Sequence, residues 1–149
     1  MRVVIQRVKQ AHVHCDNRLV GSITHGLCLL VAFCDQDTLL TLQKVAKKIV
    51  QLRIFEDEQG KLNQSIVDHQ GEILSISQFT LYGDISKGNR PSFIKSAKAE
   101  VANPLYQTFN QILKTEYHLN IQTGCFGEHM EVSLINDGPV TIWLDSDFL

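Results

Sequence analysis

The sequence has no long apolar run. Its longest, Leu27 to Cys34, is eight residues, whereas a membrane-spanning helix needs about twenty. No excess of one charge is present either: 14 Lys and Arg stand against 16 Asp and Glu, a formal net charge of −2. That balance argues against non-specific coating of nucleic acid and leaves room for a local basic patch. Prolines are few (Pro91, Pro104 and Pro139), and there is no Pro/Ser linker, low-complexity stretch or internal repeat. One domain over residues 1–149 is the simplest organisation. The four cysteines, Cys15, Cys28, Cys34 and Cys125, show no CxxC spacing, so no zinc ribbon or dithiol motif is indicated. A chain of this length buries enough core to fold without disulfides. The first seven residues interrupt their apolar positions with polar ones and show no cleavage site, so no signal peptide is read. The expectation is a cytoplasmic protein with reduced thiols. GxGxxG, P-loop, GxSxG and HExxH motifs are all missing, which leaves no familiar cofactor or triad signature; no cofactor is expected.

What is present is a globular pattern, 44% hydrophobic, and this excludes disorder. Residues 2–14 are rich in Val and Ile and read as a strand. Asp16-Asn17 supplies a turn and Leu19 to Ile23 the returning strand, a hairpin. Leu27 to Phe33 reads as a central strand. Asp37 is a candidate helix cap, and Leu39, Leu42, Val45, Ala46, Ile49 and Val50 recur at helical spacing after it. Arg53 to Phe55 is a short strand and Glu72 to Gln78 a buried one. Gly83 to Pro91 is a loop. A second helix runs roughly from Lys98 to Tyr117, with Asn103-Pro104 as an alternative start because Pro suits the first helical position. Asn120 to Thr123, Met130 to Ile135 and Val140 to Leu144 read as strands, the last two joined by a turn at Asn136-Asp137-Gly138-Pro139. The expected fold is mixed α/β: a largely antiparallel sheet system with two long helices.

Three places invite chemistry. His12 and His14 face one side of a strand and would share an ion if further ligands joined them; paired strand histidines are the plainer reading, and no metal is assigned. Glu56-Asp57-Glu58 reads as a solvated acidic turn. Ser77-Gln78-Phe79-Thr80 ends a buried strand and breaks into a loop followed by Lys87, Arg90, Lys95 and Lys98. Hydroxyls and freed N–H groups at a strand end can polarise a carbonyl, and the basic residues suit phosphates. A solvated polar strand end accounts for the same residues equally well. Asn136-Asp137-Gly138-Pro139-Val140-Thr141 is, by pattern, a simple turn.

At these last two stretches the chain resembles the D-aminoacyl-tRNA deacylase family. Its two signatures, SQxTL and NxGPVT, stand here as Ser77-Gln78-Phe79-Thr80-Leu81 and Asn136-Asp137-Gly138-Pro139-Val140-Thr141. Met1 to Val8, Leu52 to Asp57, Lys87 to Phe93 and Gly124-Cys125-Phe126-Gly127 fit as well, so the likeness runs end to end. The resemblance implies a homodimeric enzyme that hydrolyses the ester between a D-amino acid and the terminal adenosine of tRNA. It further implies a cis Gly138-Pro139 bond that reaches into the partner's active site and presents its carbonyl oxygens there. Arg7 would hold that motif. Ser77, Gln78, Phe79 and Thr80 would line the pocket beside the ester, with Met130 in its wall and Asn136, Val140 and Thr141 completing the substrate-binding turn.

A rigid carbonyl pair beside Cα would leave no room for an L side chain, whereas a D side chain points into open space. Glycyl-tRNA would then pass as a substrate. For the chemical step, Thr80 as a nucleophile has no evident base in the motif; a Phe79 N–H oxyanion donor with the ribose 2′-hydroxyl activating water is the preferred scheme. Glu128-His129 before Met130 departs from the small residue usual there in the family, and Ala32 stands where Gly is common. Three rival readings stand beside this one. A DNA-unwinding-element-binding branch of the family carries a C-terminal tail, which the acidic Asp145-Ser146-Asp147-Phe148-Leu149 end does not resemble; no DNA partner is expected. A sister class that edits L-alanine has Thr-Pro where Gly138-Pro139 stands. A generic esterase would need no tRNA.

Overall fold

The computed structural model describes residues 1–149. Strands β1 (Arg2–Cys15), β2 (Arg18–Ile23) and β3 (Gly26–Ala32) lead into helix α1 (Leu39–Gln51). A short pair, β4 (Phe55–Glu56) and β5 (Leu62–Gln64), precedes β6 (Glu72–Ser77) and a 3-10 turn over Phe79–Tyr82. Helix α2 (Ala99–Thr115), β7 (Ile121–Thr123), β8 (Glu131–Asp145) and a last 3-10 turn follow. The main sheet has six strands in the order β2-β1-β3-β6-β7, with β8 on the other side of β1. β1 pairs antiparallel with β2, β3 and β8, while β3-β6 and β6-β7 are parallel. The expected mixed α/β architecture is borne out.

The sheet has two buried faces. On one, Val3 and Ile5 of β1, Leu27, Leu29 and Val31 of β3 and Ile73 of β6 pack against α1 and α2. On the other, Val8, Ala11, Val13, Ile23, Leu74 and Ile76 form a second core inside the curl of the sheet. This double burial is why β3 reads as an unbroken apolar run rather than an alternating one. The curl brings β2 against β7, where a Cβ on Gly21 would lie 2.7 Å from the Thr123 carbonyl oxygen. Only glycine allows that approach. Asp16 and Asn17 take φ of 49° and 60°, the left-handed pair of a tight hairpin turn.

Several local expectations need correction. Thr38, not Asp37, caps α1: its hydroxyl accepts from the Thr41 N–H, and Thr41 answers the Thr38 N–H. Asp37 instead accepts from the Cys34 N–H and pairs with the Met1 ammonium at 2.7 Å. α2 starts at Ala99, so Pro104 lies inside the helix rather than at its start. Its neighbours Ala102, Tyr106 and Phe109 are buried, and tertiary packing outweighs the missing N–H. The strand expected at Arg53 to Phe55 falls at Phe55–Glu56, and its partner β5 carries no apolar alternation to reveal it. Most important, Asn136–Pro139 is no hairpin turn. Both flanking segments belong to β8 and pair in line with β1.

Phe109 is fully buried between α2 and the sheet. Phe109→Ala is expected to cost about 3–5 kcal/mol, read as a lowered urea midpoint with the m-value unchanged. A loss below about 1 kcal/mol would place this residue outside the working core.

Candidate active site

β6 is buried from Ile73 to Ile76 and then runs out of core. The Gln78 N–H still donates to the Val31 carbonyl at 2.8 Å, after which the chain tightens into the Phe79–Tyr82 turn. As the first residue of that turn, Phe79 keeps an N–H with no acceptor in the chain. The Gln78 side-chain amide donates to the Thr80 hydroxyl. A cavity of about 510 Å³ opens here. Ser77, Gln78, Phe79 and Phe126 line it together with Met130, just before β8, and Val132 on β8. Ala97, just before α2, and Ala99 and Ala102 at its start also line the cavity, and their small side chains leave the space open. Glu128 and His129 stand at the exposed rim. The site offers hydroxyls, an amide and a free backbone N–H to a carbonyl, beside apolar walls.

A second cluster forms around Arg7. On β1, Gln6 pairs with Thr141 and Val8 with Asn136, so residues 137–140 loop out of β8 opposite Arg7. The guanidinium fills that gap. Its Nε donates to the Asp137 carbonyl at 3.0 Å and its Nη1 to the Ile54 carbonyl at 2.8 Å. The carboxylates of Asp137 and Glu56 lie 3.5 and 3.6 Å away. Asn136 closes the neck of the loop: its Oδ1 accepts from the Val140 N–H at 2.9 Å and its Nδ2 donates to the Thr141 hydroxyl at 3.0 Å. The Gly138-Pro139 bond is cis, and both residues are exposed at the tip. Gly138 has φ +125°, and a Cβ there would lie 2.9 Å from Val140 Cγ2 and 3.1 Å from Arg7 Nη2. The position is closed to other residues on both counts.

The two clusters do not meet within one chain. On β8 the cavity-lining Val132 and Asn136 are four steps apart, roughly 13 Å, and Met130 lies beyond Val132 just before the strand begins. The cavity therefore gathers Ser77, Gln78, Phe79 and Met130, while Arg7, Asn136, Gly138, Pro139, Val140 and Thr141 gather elsewhere. Thr80 sits one residue beyond the lining, exposed. Sequence reading missed Ala97, Ala99, Ala102 and Val132; small residues opening a helix after a loop were the available signal. His12 and His14 stack edge to face at 5.4 Å, with no group of three or more His, Cys, Asp or Glu able to hold an ion. In the basic loop, Lys95 faces the Asp84 carboxylate at 3.9 Å.

Set beside known proteins, this arrangement belongs to a class of ester-bond hydrolases. The family model for D-Tyr-tRNA(Tyr) deacylase matches residues 4–145. A D-aminoacyl-tRNA deacylase of Listeria monocytogenes serotype 4b is 54% identical over 99% of this chain and 97% of its own. That of Halalkalibacterium halodurans is 54% identical over 98% and 99%. A solved structure described as the c-Myc DNA Unwinding Element Binding Protein superposes with a TM-score of 0.93 at 41% identity, covering 97% of this chain and 98% of that one. A probable eukaryotic D-amino acid tRNA deacylase, at 20% identity and a TM-score of 0.79, shares the fold over 96% of this chain and 97% of its own. The chain belongs to the D-Tyr-tRNA(Tyr) deacylase family, as its two motifs indicated.

His69 reports on the Arg7 cluster. Its ring stacks on Phe55 at 4.5 Å and meets His25 edge-on at 5.2 Å. Burial, then the nearby His25 and Arg7, push its pKa below the ordinary 6.5, against an opposing pull from Asp137. Because the fold favours the neutral ring, its contribution to stability is complete above about 6.5 and is lost as pH falls through the lower folded value. An NMR titration of the His69 ring is expected to give a midpoint below 6.5; a midpoint at or above 6.5 would contradict this environment.

Proposed function

We propose that this deacylase works as a homodimer, with each cavity completed by the Gly138-Pro139 tip of the other subunit. The observation that carries this reading is the separation of the two clusters along β8. Two further features support it. β8 is hydrogen-bonded on one side only, leaving a fifteen-residue open edge. Ile135 and Trp143 on that strand are 49% and 51% exposed. An open edge flanked by apolar side chains is a template for a second copy.

In this reading the D-aminoacyl ester of the terminal adenosine lies in the cavity. Its carbonyl oxygen takes the Phe79 N–H, which strengthens as negative charge develops in the tetrahedral intermediate. Ser77 and Gln78 fix the ester's orientation. Water attacks, activated by the ribose 2′-hydroxyl, and the 3′-oxygen leaves with a proton. Thr80 orients rather than attacks: its hydroxyl partner is an amide donor, which is no base. The partner's Gly138 and Pro139 present carbonyl oxygens beside Cα. They occupy the side where an L side chain would project and accept the α-ammonium of a D residue. Glycine has no side chain to exclude, so glycyl-tRNA is hydrolysed too. Free D-amino acid and tRNA are the products.

The test is deacylation of D-Tyr-tRNA, L-Tyr-tRNA and Gly-tRNA side by side at substoichiometric enzyme. Loss of the D-Tyr and Gly esters with the L ester intact is expected; loss of both tyrosyl esters would refute the filter. Thr80→Val is expected to retain activity within about tenfold, because it removes one orienting hydrogen bond; complete loss with substrate binding intact would make Thr80 the nucleophile. Arg7→Lys, which cannot reach both carbonyls and both carboxylates at once, is expected to lower the D-Tyr rate by at least about a hundredfold with the fold preserved. The solved structure named for a DNA unwinding element raises a second reading, duplex DNA binding. An affinity for duplex DNA matching that for aminoacyl-tRNA would favour it; the net charge of −2 opposes it.

A further inference from the structure

Beyond Phe126 the surface continues. A second hollow, about 380 Å³, lies between α2 and β7 and shares Phe126 with the first cavity. Its α2 wall is made by Asn103, Gln107, Asn110, Gln111 and Lys114. Their spacing places them on one stripe of the helix, beside the buried stripe of Ala102, Tyr106, Phe109 and Leu113. The composition of the stripe is unusual. A helix surface in water commonly carries opposed charges, and here four carboxamides are followed by a single cation. Gln107 and Gln111 are exposed. The one contact among these amides, Gln107 Nε2 to Asn103 Oδ1, is a long 3.3 Å; Asn110 Oδ1 is buried without a partner, while the exposed Gln107 and Gln111 keep most of their donors and acceptors free toward the hollow.

We propose that this hollow binds the unpaired nucleotides immediately preceding the terminal adenosine of the substrate tRNA, a proposal that rests on the deacylase reading above. Carboxamides both donate and accept, as the Watson–Crick edge of cytosine does. The half-buried Phe126 ring, at the junction of the two hollows, gives a stacking surface where one nucleotide passes to the next. Lys114 stands at the far end for a phosphate. From Asn103 to Lys114 the helix rises about 16 Å, which suits a short single strand. The hollow would therefore separate an aminoacyl-tRNA from a free aminoacyl-nucleoside, and it would do so without reading the amino acid.

The experiment compares binding of adenosine and of the trinucleotide CpCpA to the wild-type protein and to a Gln107→Ala/Gln111→Ala variant. Both positions are exposed and alanine favours helix. CpCpA is expected to bind wild type about tenfold more tightly than adenosine. The variant should lose that advantage and keep its adenosine affinity. In turnover, KM for D-Tyr-tRNA should rise about tenfold in the variant with kcat unchanged, while hydrolysis of 3′-O-D-tyrosyl-adenosine stays as in wild type. Lys114→Ala should flatten the salt dependence of CpCpA binding. Equal affinity of wild type for CpCpA and adenosine would overturn the proposal, as would a variant that still prefers CpCpA or one that weakens both ligands alike. Failure of wild type to hydrolyse D-Tyr-tRNA is a separate result, which would overturn the deacylase reading and leave the CpCpA comparison to decide the groove.

Discussion

The Gly138-Pro139 loop depends on one buried cation. Arg7 is 5% exposed, and a guanidinium so enclosed is tolerable only when its hydrogen bonds and charge are met. The chain meets them with two carbonyls and two carboxylates drawn from places far apart in sequence: Ile54 and Glu56 beside β4, and Asp137 in the β8 loop. The same contacts that satisfy the charge fix the loop. Asn136 pinches its neck, Arg7 fills its base, and Gly138-Pro139 is held at an exposed tip. The proposed stereochemical filter would have to be rigid to within a fraction of an ångström, and a surface loop seldom is. Here rigidity is borrowed from the longest ladder in the molecule, β1 with β8.

That economy has a structural consequence. A strand that lines the cavity with Val132 near one end and carries the Gly-Pro tip well beyond it keeps the two clusters apart. In the proposed dimer, the open edge of β8 with its exposed Ile135 and Trp143 would pair with its own copy, and each tip would stand against the other subunit's cavity. The catalytic demand on the cavity is then modest. An aminoacyl ester is already activated, and in the proposed scheme a backbone N–H, an oriented amide and the substrate's own hydroxyl would suffice. No residue needs an unusual proton affinity, and none at the cavity is held by a strong charge pair.

Much of this was legible in the residues. The β1–β2 hairpin followed from Val and Ile alternation around Asp16-Asn17, and α1 and α2 from helical spacing of apolar positions. Ser77 to Thr80 stood out because a buried strand ended abruptly in polar groups. The Asn136–Val140 segment misled for a physical reason: local composition says turn, and only pairing with β1, more than a hundred residues away in sequence, turns it into a loop within one strand. Pro104 misled likewise, because packing of Tyr106 and Phe109 overrides a local helix-start preference. The alanines at the start of α2 carried only a weak local signal, small residues opening a helix after a loop, and the carboxamide stripe carried none. Their meaning comes from what the fold sets opposite them.

The shared-site account is tested most directly by subunit mixing. Arg7→Ala unseats the tip, and Ala99→Trp fills the cavity of the chain that carries it. Each variant alone is predicted to be inactive toward D-Tyr-tRNA. When the two are unfolded and refolded together in equal amounts, half the dimers are mixed. Each mixed dimer pairs one intact cavity with one intact tip, and activity should return to roughly a quarter of wild type. A mixture no more active than the average of the two variants would contradict the account and place tip and cavity within the same subunit.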